Sequence, residues 1–147
     1  MYLPRAAPPR IVAAVNADVR PRIRAILPGC ELRFVQTGSE LVRALEEAQC
    51  TLMIVEVHFD ESSALAALKC VLAREESFPV VCVRGVSGDK PGYATLNALR
   101  VALGAVVVRE FIDLVEHCDD EIGNACVRAM LMQLLAAESP AKELSEL

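Results

Sequence analysis

The stretch Thr51-Leu-Met-Ile-Val-Glu-Val57 decides the fold that this sequence predicts. It is a short apolar run with one acid, and a second such run, Pro79-Val-Val-Cys-Val83, follows a segment with helical periodicity. Short apolar runs without polar alternation are typical of strands that are buried on both faces. Strands of this kind indicate a parallel sheet with helices on each side.

The same alternation of strand and helix extends in both directions along the chain. Further strands are predicted at Ile11–Val15, at Glu31–Gln36 near a sheet edge, and within Ala105–Val115, where the register stays open. A helix is predicted after each strand. The first is capped by Asp18 and covers Arg20–Leu27, and the second begins with the capping box Thr37–Glu40. The third follows Asp60 or Ser62, the fourth contains Leu96, Leu99 and Leu103, and the last runs from Asp119 or Asp120 to about Ala137. Five strand–helix units predict a three-layer, doubly wound α/β domain.

Length and composition agree with one globular domain. The chain has 147 residues, of which 54% are hydrophobic and 24% charged, and it contains no Trp. This profile excludes intrinsic disorder, and no apolar stretch reaches the roughly 20 residues that a membrane span needs. We expect a disordered N-terminal tail over residues 1–10, a domain over 11–137 and a C-terminal tail over 138–147, in a cytoplasmic protein without a secretory signal.

Charge and cysteine content exclude two classes of site. The net charge of −5 argues against nucleic-acid binding. Residues 1–35 carry six Arg against two acids, a net charge of +4, and the remainder carries nine bases and eighteen acids, a net charge of −9. The six cysteines form no CxxC pair, so no zinc site is predicted, and buried, reduced thiols are expected.

Local strings give the pattern a family resemblance. Thr51–Asp60 is similar to the third-strand motif of the receiver domains of bacterial response regulators, Pro79–Gly85 to their fourth strand, and Leu103-Gly-Ala105 to the string before their fifth. The resemblance covers about residues 10–137. It implies a receiver or flavodoxin-like sheet with strand order 2-1-3-4-5, and a role in two-component signal transduction.

The resemblance also assigns the positions that carry receiver chemistry. The phospho-accepting aspartate is replaced by Glu56, and the hydroxyl at the end of strand four by Arg84. The acidic pair after strand one is replaced by Val15 and Asn16, or by Ala14 and Val15 if the register slips by one residue. The strand-five lysine corresponds to Arg109 if the strand begins at Ala105, or to Leu114 if it runs from Glu110. His58, Phe59, Asp60 and Glu61 replace the usual loop after strand three.

These losses together remove the electrostatic clamp that phosphoryl transfer requires. The expected function is therefore that of a stand-alone, degenerate receiver that signals by protein–protein contact, with no catalytic residue, metal or cofactor. Two alternatives stay open. One is a flavodoxin-like binder of a small anion or nucleotide, using Asn16, Glu56, Arg84 and the loop Gly85–Gly92. The other is a true phospho-receiver that uses an unaligned acid such as Asp60.

Two interaction hypotheses follow from the charged and apolar patterns. Glu56 and Arg84 end neighbouring strands, so they either form an ion pair in place of phosphoaspartate or lie on a solvated rim. The last helix carries a wide apolar band, which either packs within the domain or contacts a partner, with a homodimer as one form. Its members are Ile122, Cys126, Met130 and Leu134, beside Val127, Leu131 and Leu135. The acidic run Glu110–Glu121 is either solvated or steers a basic partner.

Overall fold

The computed structural model describes residues 7–47, 49–56, 78–85 and 108–146. The described elements are β1 (Arg10–Ala14), α1 (Arg20–Ile26), β2 (Glu31–Val35), α2 (Gly38–Glu47), β3 (Leu52–Glu56), β4 (Val80–Arg84), β5 (Val108–Asp113), a 3-10 turn (Leu114–Glu116) and α3 (Glu121–Glu146). The predicted helices around residues 60–76 and 93–104 lie outside the described residues.

The strands form one five-stranded parallel sheet in the order β2-β1-β3-β4-β5, which confirms the predicted topology. All five residues of β3 and of β4 are buried, as continuous apolar runs predict for central strands. β2 is at one edge and has an exposed and half-buried pattern until Val35. The register is regular except between β4 and β5, where it shifts at Val80 and Val81.

Alternate residues of the strands build two cores, one on each face of the sheet. One core contains Val12, Ala14, Met53, Val55, Val80 and Cys82, and is covered by Leu41, Ala44 and Leu45 of α2. The other contains Ile11, Ala13, Leu52, Ile54, Val81, Val83 and Ile112, and is covered by Ile23 and Ile26 of α1 and by Val127 and Leu131 of α3. α1 and α3 therefore share one layer.

Two arginines join α1 to α3 in opposite directions. Arg22 of α1 donates from Nη2 to the carbonyl oxygens of His117 (2.6 Å) and Cys118 (3.2 Å), and from Nη1 to that of Leu114. Its Nε also donates to Oδ1 of the buried Asn124, at 3.1 Å.

Arg128 of α3 donates in the opposite direction, to the carbonyl oxygens of Ile26 and, at 3.0 Å, Ala25 at the C-terminal end of α1. The segment before α3 and the C-terminal end of α1 are thus each bound by an arginine side chain from the other side, through their main-chain carbonyl oxygens.

The helix starts agree with the sequence in two cases out of three. Thr37 Oγ1 accepts from the backbone N–H of Glu40 at 3.2 Å, and Glu40 Oε2 accepts from that of Gln36, so the capping box is confirmed. Asp120 Oδ1 accepts from the backbone N–H of Gly123 at 2.7 Å and caps α3. The predicted cap at Asp18 is wrong: Val19 is the N-cap of α1 and makes no side-chain cap bond, because Asp18 lies one residue too early and is exposed.

α3 and the cysteines differ from expectation. α3 continues to Glu146 rather than ending near Ala137; Pro140 lies within it, and the residues that follow, Ala141–Leu144, all have high helix propensity. Cys118 and Cys126 are exposed rather than buried, while Cys82 is buried. None of the described helices is long and apolar enough to cross a membrane.

Candidate functional site

The candidate site lies at the carboxyl ends of the central strands, where open α/β sheets place their ligand sites. β3 ends at Glu56, β4 at Arg84 and β5 at Asp113, and Asn16 follows β1. Parallel strands bring these four residues to one edge of the sheet. Sequence reasoning named three of these positions, Asn16, Glu56 and Arg84, and missed Asp113.

Glu56 is held by Asn16. The Glu56 side chain, which the resemblance aligns with the phospho-acceptor, is almost fully buried, at 2% exposure. Its Oε2 accepts from the backbone N–H of Asn16 at 3.1 Å and also from the Asn16 side-chain Nδ2. Because β1 is the direct neighbour of β3, the residues after Ala14 meet the end of β3. Two N–H donors therefore point to a carboxylate oxygen where receivers carry further carboxylates.

Arg84 is paired with Asp113, its register partner on β5. Nε and Nη2 of Arg84 meet Oδ1 and Oδ2 of Asp113, both at 2.8 Å, in a bidentate ion pair. The two side chains are only 9% and 17% exposed. The hydrogen bond to Asp113 raises the pKa of the Arg84 guanidinium above its ordinary value. The hypothesis of a Glu56–Arg84 ion pair is therefore wrong: Arg84 turns to β5, and Glu56 turns to β1.

The two residues predicted for the strand-five lysine, Arg109 and Leu114, are not the register partner of Arg84. Asp113 lies in register with Arg84. Arg109 lies between Val108 and Glu110, where the β4–β5 register shifts, and Leu114 is buried in the 3-10 turn that follows β5. The sequence holds one indication of this residue. A helix cap at Asp120 requires β5 to end several residues earlier, which places its end near Asp113.

Gly85 closes the site beside Glu56. A Cβ atom at this position would lie 2.6 Å from Val19 Cγ2 and 2.7 Å from Glu56 Oε1. Such distances leave no room for a side chain. The approach to Glu56 is therefore narrow on the side of β4.

The residues at this edge do not fit the magnesium ion that active receivers hold. Mg²⁺ is bound through carboxylate and other oxygen ligands. Val15 is apolar and buried, and Asn16 directs its amide N–H groups to Glu56. Within the described ranges, no group of three His, Cys, Asp or Glu residues could hold a metal ion.

The same residues offer little to a small anion. The guanidinium of Arg84 is already bound by the carboxylate of Asp113, which compensates its charge. The described part of this edge is therefore unsuited to the phosphate of a nucleotide. Asp60, the neighbouring loop positions His58, Phe59 and Glu61, and the loop residues 86–92 lie outside the described residues.

Solved structures share this architecture. The signal receiver domain of an HD domain-containing protein from Pseudomonas fluorescens Pf-5 superposes with a TM-score of 0.72 at 14% identity, covering 97% of both chains. The chain has the receiver-domain fold. A receiver domain of a Pseudomonas aeruginosa PAO1 sensor histidine kinase, with magnesium in its active-site cleft, gives a TM-score of 0.64 at 14% identity, covering 89% of this chain and 99% of that one.

A larger protein also contains this fold. NtrX from Brucella abortus gives a TM-score of 0.71 at 17% identity, covering 96% of this chain and 29% of the NtrX chain. No protein family profile matches the sequence, and no curated protein matches it. Receiver structures are thus similar to this chain in backbone fold.

The predicted interface residues of the last helix divide into two groups. Val127 and Leu131 are buried against the sheet, so they do not form a surface for a partner. Ile122 is 82% exposed and Cys126 is also exposed. Met130, Leu134 and Leu135 are half-buried and pack at the margin of the same core. The wide apolar band therefore serves mainly as packing, and its outer part is left at the surface.

Proposed function

We propose that this receiver-fold chain is a signalling module that acts by protein–protein contact and does not depend on aspartyl phosphorylation. The observation that carries the proposal is the bond pattern of Glu56. Its carboxylate occupies the acceptor position, and Oε2 accepts two N–H donors from Asn16.

The chemistry of phosphoryl transfer supports this function. Transfer to a carboxylate needs a cation that neutralises the charge on the phosphoryl oxygens. At this edge the neighbouring positions hold Val15 and Asn16, and the guanidinium of Arg84 is already bound by Asp113. Hydrogen bonds from Asn16 also stabilise the negative charge of the Glu56 carboxylate, and a carboxylate stabilised in this way is a weaker nucleophile.

The output then comes from contact with another chain. Similar folds occur in a sensor kinase and in an HD domain-containing protein, where a receiver is named as one domain. For this chain we propose the cytoplasm of a bacterial cell and a protein partner. The exposed Ile122 and Cys126 of α3 are the remaining candidates for a homodimer contact through the last helix.

The direct test is incubation of the purified chain with acetyl phosphate and Mg²⁺, followed by intact-mass spectrometry. The wild type is expected to gain no phosphoryl group. The matched control is the double variant Val15→Asp/Glu56→Asp, in which the acceptor and one metal-binding acid are introduced. Melting curves of the variant establish that it is folded before labelling is compared.

A covalent phosphoryl group on the wild type would contradict the proposal. Peptide mapping then locates the modified residue. Phosphorylation of Asp60 would support a true receiver with an unaligned acceptor, and phosphorylation of Glu56 would show that its bonds to Asn16 open readily.

A further inference from the structure

The arginines of α1 lie on two different faces of the helix. Arg22 points to α3 and is fully engaged there. Arg20 and Arg24, one helical turn apart, lie over the ring of Phe34 on β2, with guanidinium carbons 5.5 Å and 5.0 Å from the ring centroid. We call Arg20, Arg24 and Phe34 the arginine patch. It lies at the β2 edge of the sheet.

In the part of the chain that the structure describes, no carboxylate pairs with the arginine patch. Among the described residues, neither Arg20 nor Arg24 takes part in an ion pair, although Arg10 and Arg33 nearby are paired with Glu31 and Glu47. Arg20 Nε is buried and donates no hydrogen bond. A guanidinium that stacks on a ring keeps its N–H donors at its edge, where they fit a carboxylate. The patch is therefore suited to bind carboxylates from outside.

Exposed acids lie on the other side of α1, in the segment that follows β5. The turn after β5 and the first residue of α3 present Glu116, Asp119, Asp120 and Glu121, which we call the acidic turn. Asp120 caps α3 and Asp119 lies 3.8 Å from Arg22. Glu116 and Glu121 have no ion-pair partner among the described residues, and the exposed Val115 adjoins them.

We propose that the arginine patch of one copy binds the acidic turn of a second copy of this chain. Within one molecule the patch and the acidic turn lie on opposite sides of α1: Arg22, on the face turned away from Phe34, is the residue that approaches Asp119, at 3.8 Å, while Arg20 and Arg24 lie over Phe34. The two surfaces differ, so the contact is head-to-tail and leaves one patch and one acidic turn unused in each dimer. This contact rests on the proposed action by protein contact, but its test measures association rather than phosphorylation, so the two can fail separately.

The first experiment measures association by sedimentation velocity over a range of protein and salt concentrations. The weight-average mass of the wild type is expected to rise past that of a dimer at low salt, and to fall as salt screens the exposed charges. Arg24→Glu is expected to weaken association at least about tenfold. Arg43→Glu, the same charge change at an exposed position of α2, is the control and should associate like the wild type.

The second experiment mixes two variants that are defective on opposite surfaces. Arg24→Glu keeps its acidic turn, and Glu121→Lys keeps its arginine patch, so neither should associate alone. Their mixture should form a one-to-one complex that grows no further. A monomeric wild type at every concentration would overturn the proposal. A dimer that does not grow further and whose association neither substitution weakens would also overturn it, and would favour a two-fold contact through α3.

Discussion

Two largely buried arginines are stabilised in different ways. One, Arg84, lies at the carboxyl edge of the sheet, and the other, Arg22, lies where α1 packs against the start of α3, which we call the junction. Arg84 at the edge is neutralised by one carboxylate, that of Asp113. Arg22 at the junction donates chiefly to main-chain carbonyls, and its nearest acid, Asp119, is 3.8 Å away and largely exposed. The edge thus depends on the identity of single side chains, whereas the junction depends on the path of the backbone.

The largest decrease in Tm is expected at the junction, for a substitution that forces the backbone there to move. A Cβ atom at Gly123 would lie 1.9 Å from the carbonyl oxygen of Cys118, which is also an acceptor for Arg22. Gly123→Ala should therefore lower the Tm by more than about 10 °C. Gly38→Ala, where a Cβ meets nothing within 4 Å, is the control in the same thermal denaturation. Equal melting of the two variants would show that the junction backbone adapts freely.

The next effect is at the edge. Asp113→Ala leaves the guanidinium of Arg84 buried without its carboxylate, and should lower the Tm by about 10 °C. Glu110→Ala, an exposed position on the same strand, should change it by no more than about 2 °C. Because the pKa of Arg84 is raised above an ordinary value that is already strongly alkaline, the stabilisation by its charge is complete throughout the neutral range and is lost only at extremely alkaline pH. The destabilisation in Asp113→Ala should consequently persist from pH 6 to pH 9.

Removal of the junction arginine should have a smaller effect than removal of the edge carboxylate. Arg22→Met deletes the bonds to three carbonyl oxygens and Asn124 but leaves no buried charge. We expect a Tm lower by about 5–8 °C. Arg43→Met is the exposed control on α2. A loss in Arg22→Met greater than that in Asp113→Ala would reverse the comparison between the two regions.

The smallest effect concerns Cys30, which packs beside the C-terminal end of α1. Burial raises the pKa of the Cys30 thiol above its ordinary value of 9.0. The folded state therefore holds this proton more tightly, and the resulting stability is present below pH 9 and is lost as the pH rises further. Cys30→Ala should show a shallower decline in Tm above pH 9 than the wild type, whereas Cys126→Ala, at an exposed position, should follow the wild-type decline.

Much of the fold could be predicted from the sequence because it depends on local patterns. Continuous apolar runs identified β3 and β4 as central strands, and the capping box at Thr37 and Glu40 set the start of α2. Asn16, Glu56 and Arg84 could be placed at one edge of the sheet, because parallel strands end on the same side.

The partners of these residues could not be predicted, because they depend on register and side-chain direction. The apolar run Ala105–Val115 fits several registers equally, and the shift beside Val108 decided that Asp113 meets Arg84. On α3, Val127 and Leu131 belong to the same wide apolar band as Ile122 and Cys126, and only the packing of the helix on the sheet separates buried from exposed members. The contact of Gly123 with Cys118 has no signal in the sequence at all.

The central claim is that the carboxyl edge accepts neither Mg²⁺ nor a phosphoryl group. The backbone amide of Asn16, which donates to Glu56 Oε2 at 3.1 Å, is the natural probe. Its ¹H–¹⁵N NMR resonance should stay unchanged when Mg²⁺ and then beryllium trifluoride, a phosphoryl analogue, are titrated into the wild-type chain. A saturable shift of that resonance would mean that a ligand reaches Glu56, and would contradict the claim.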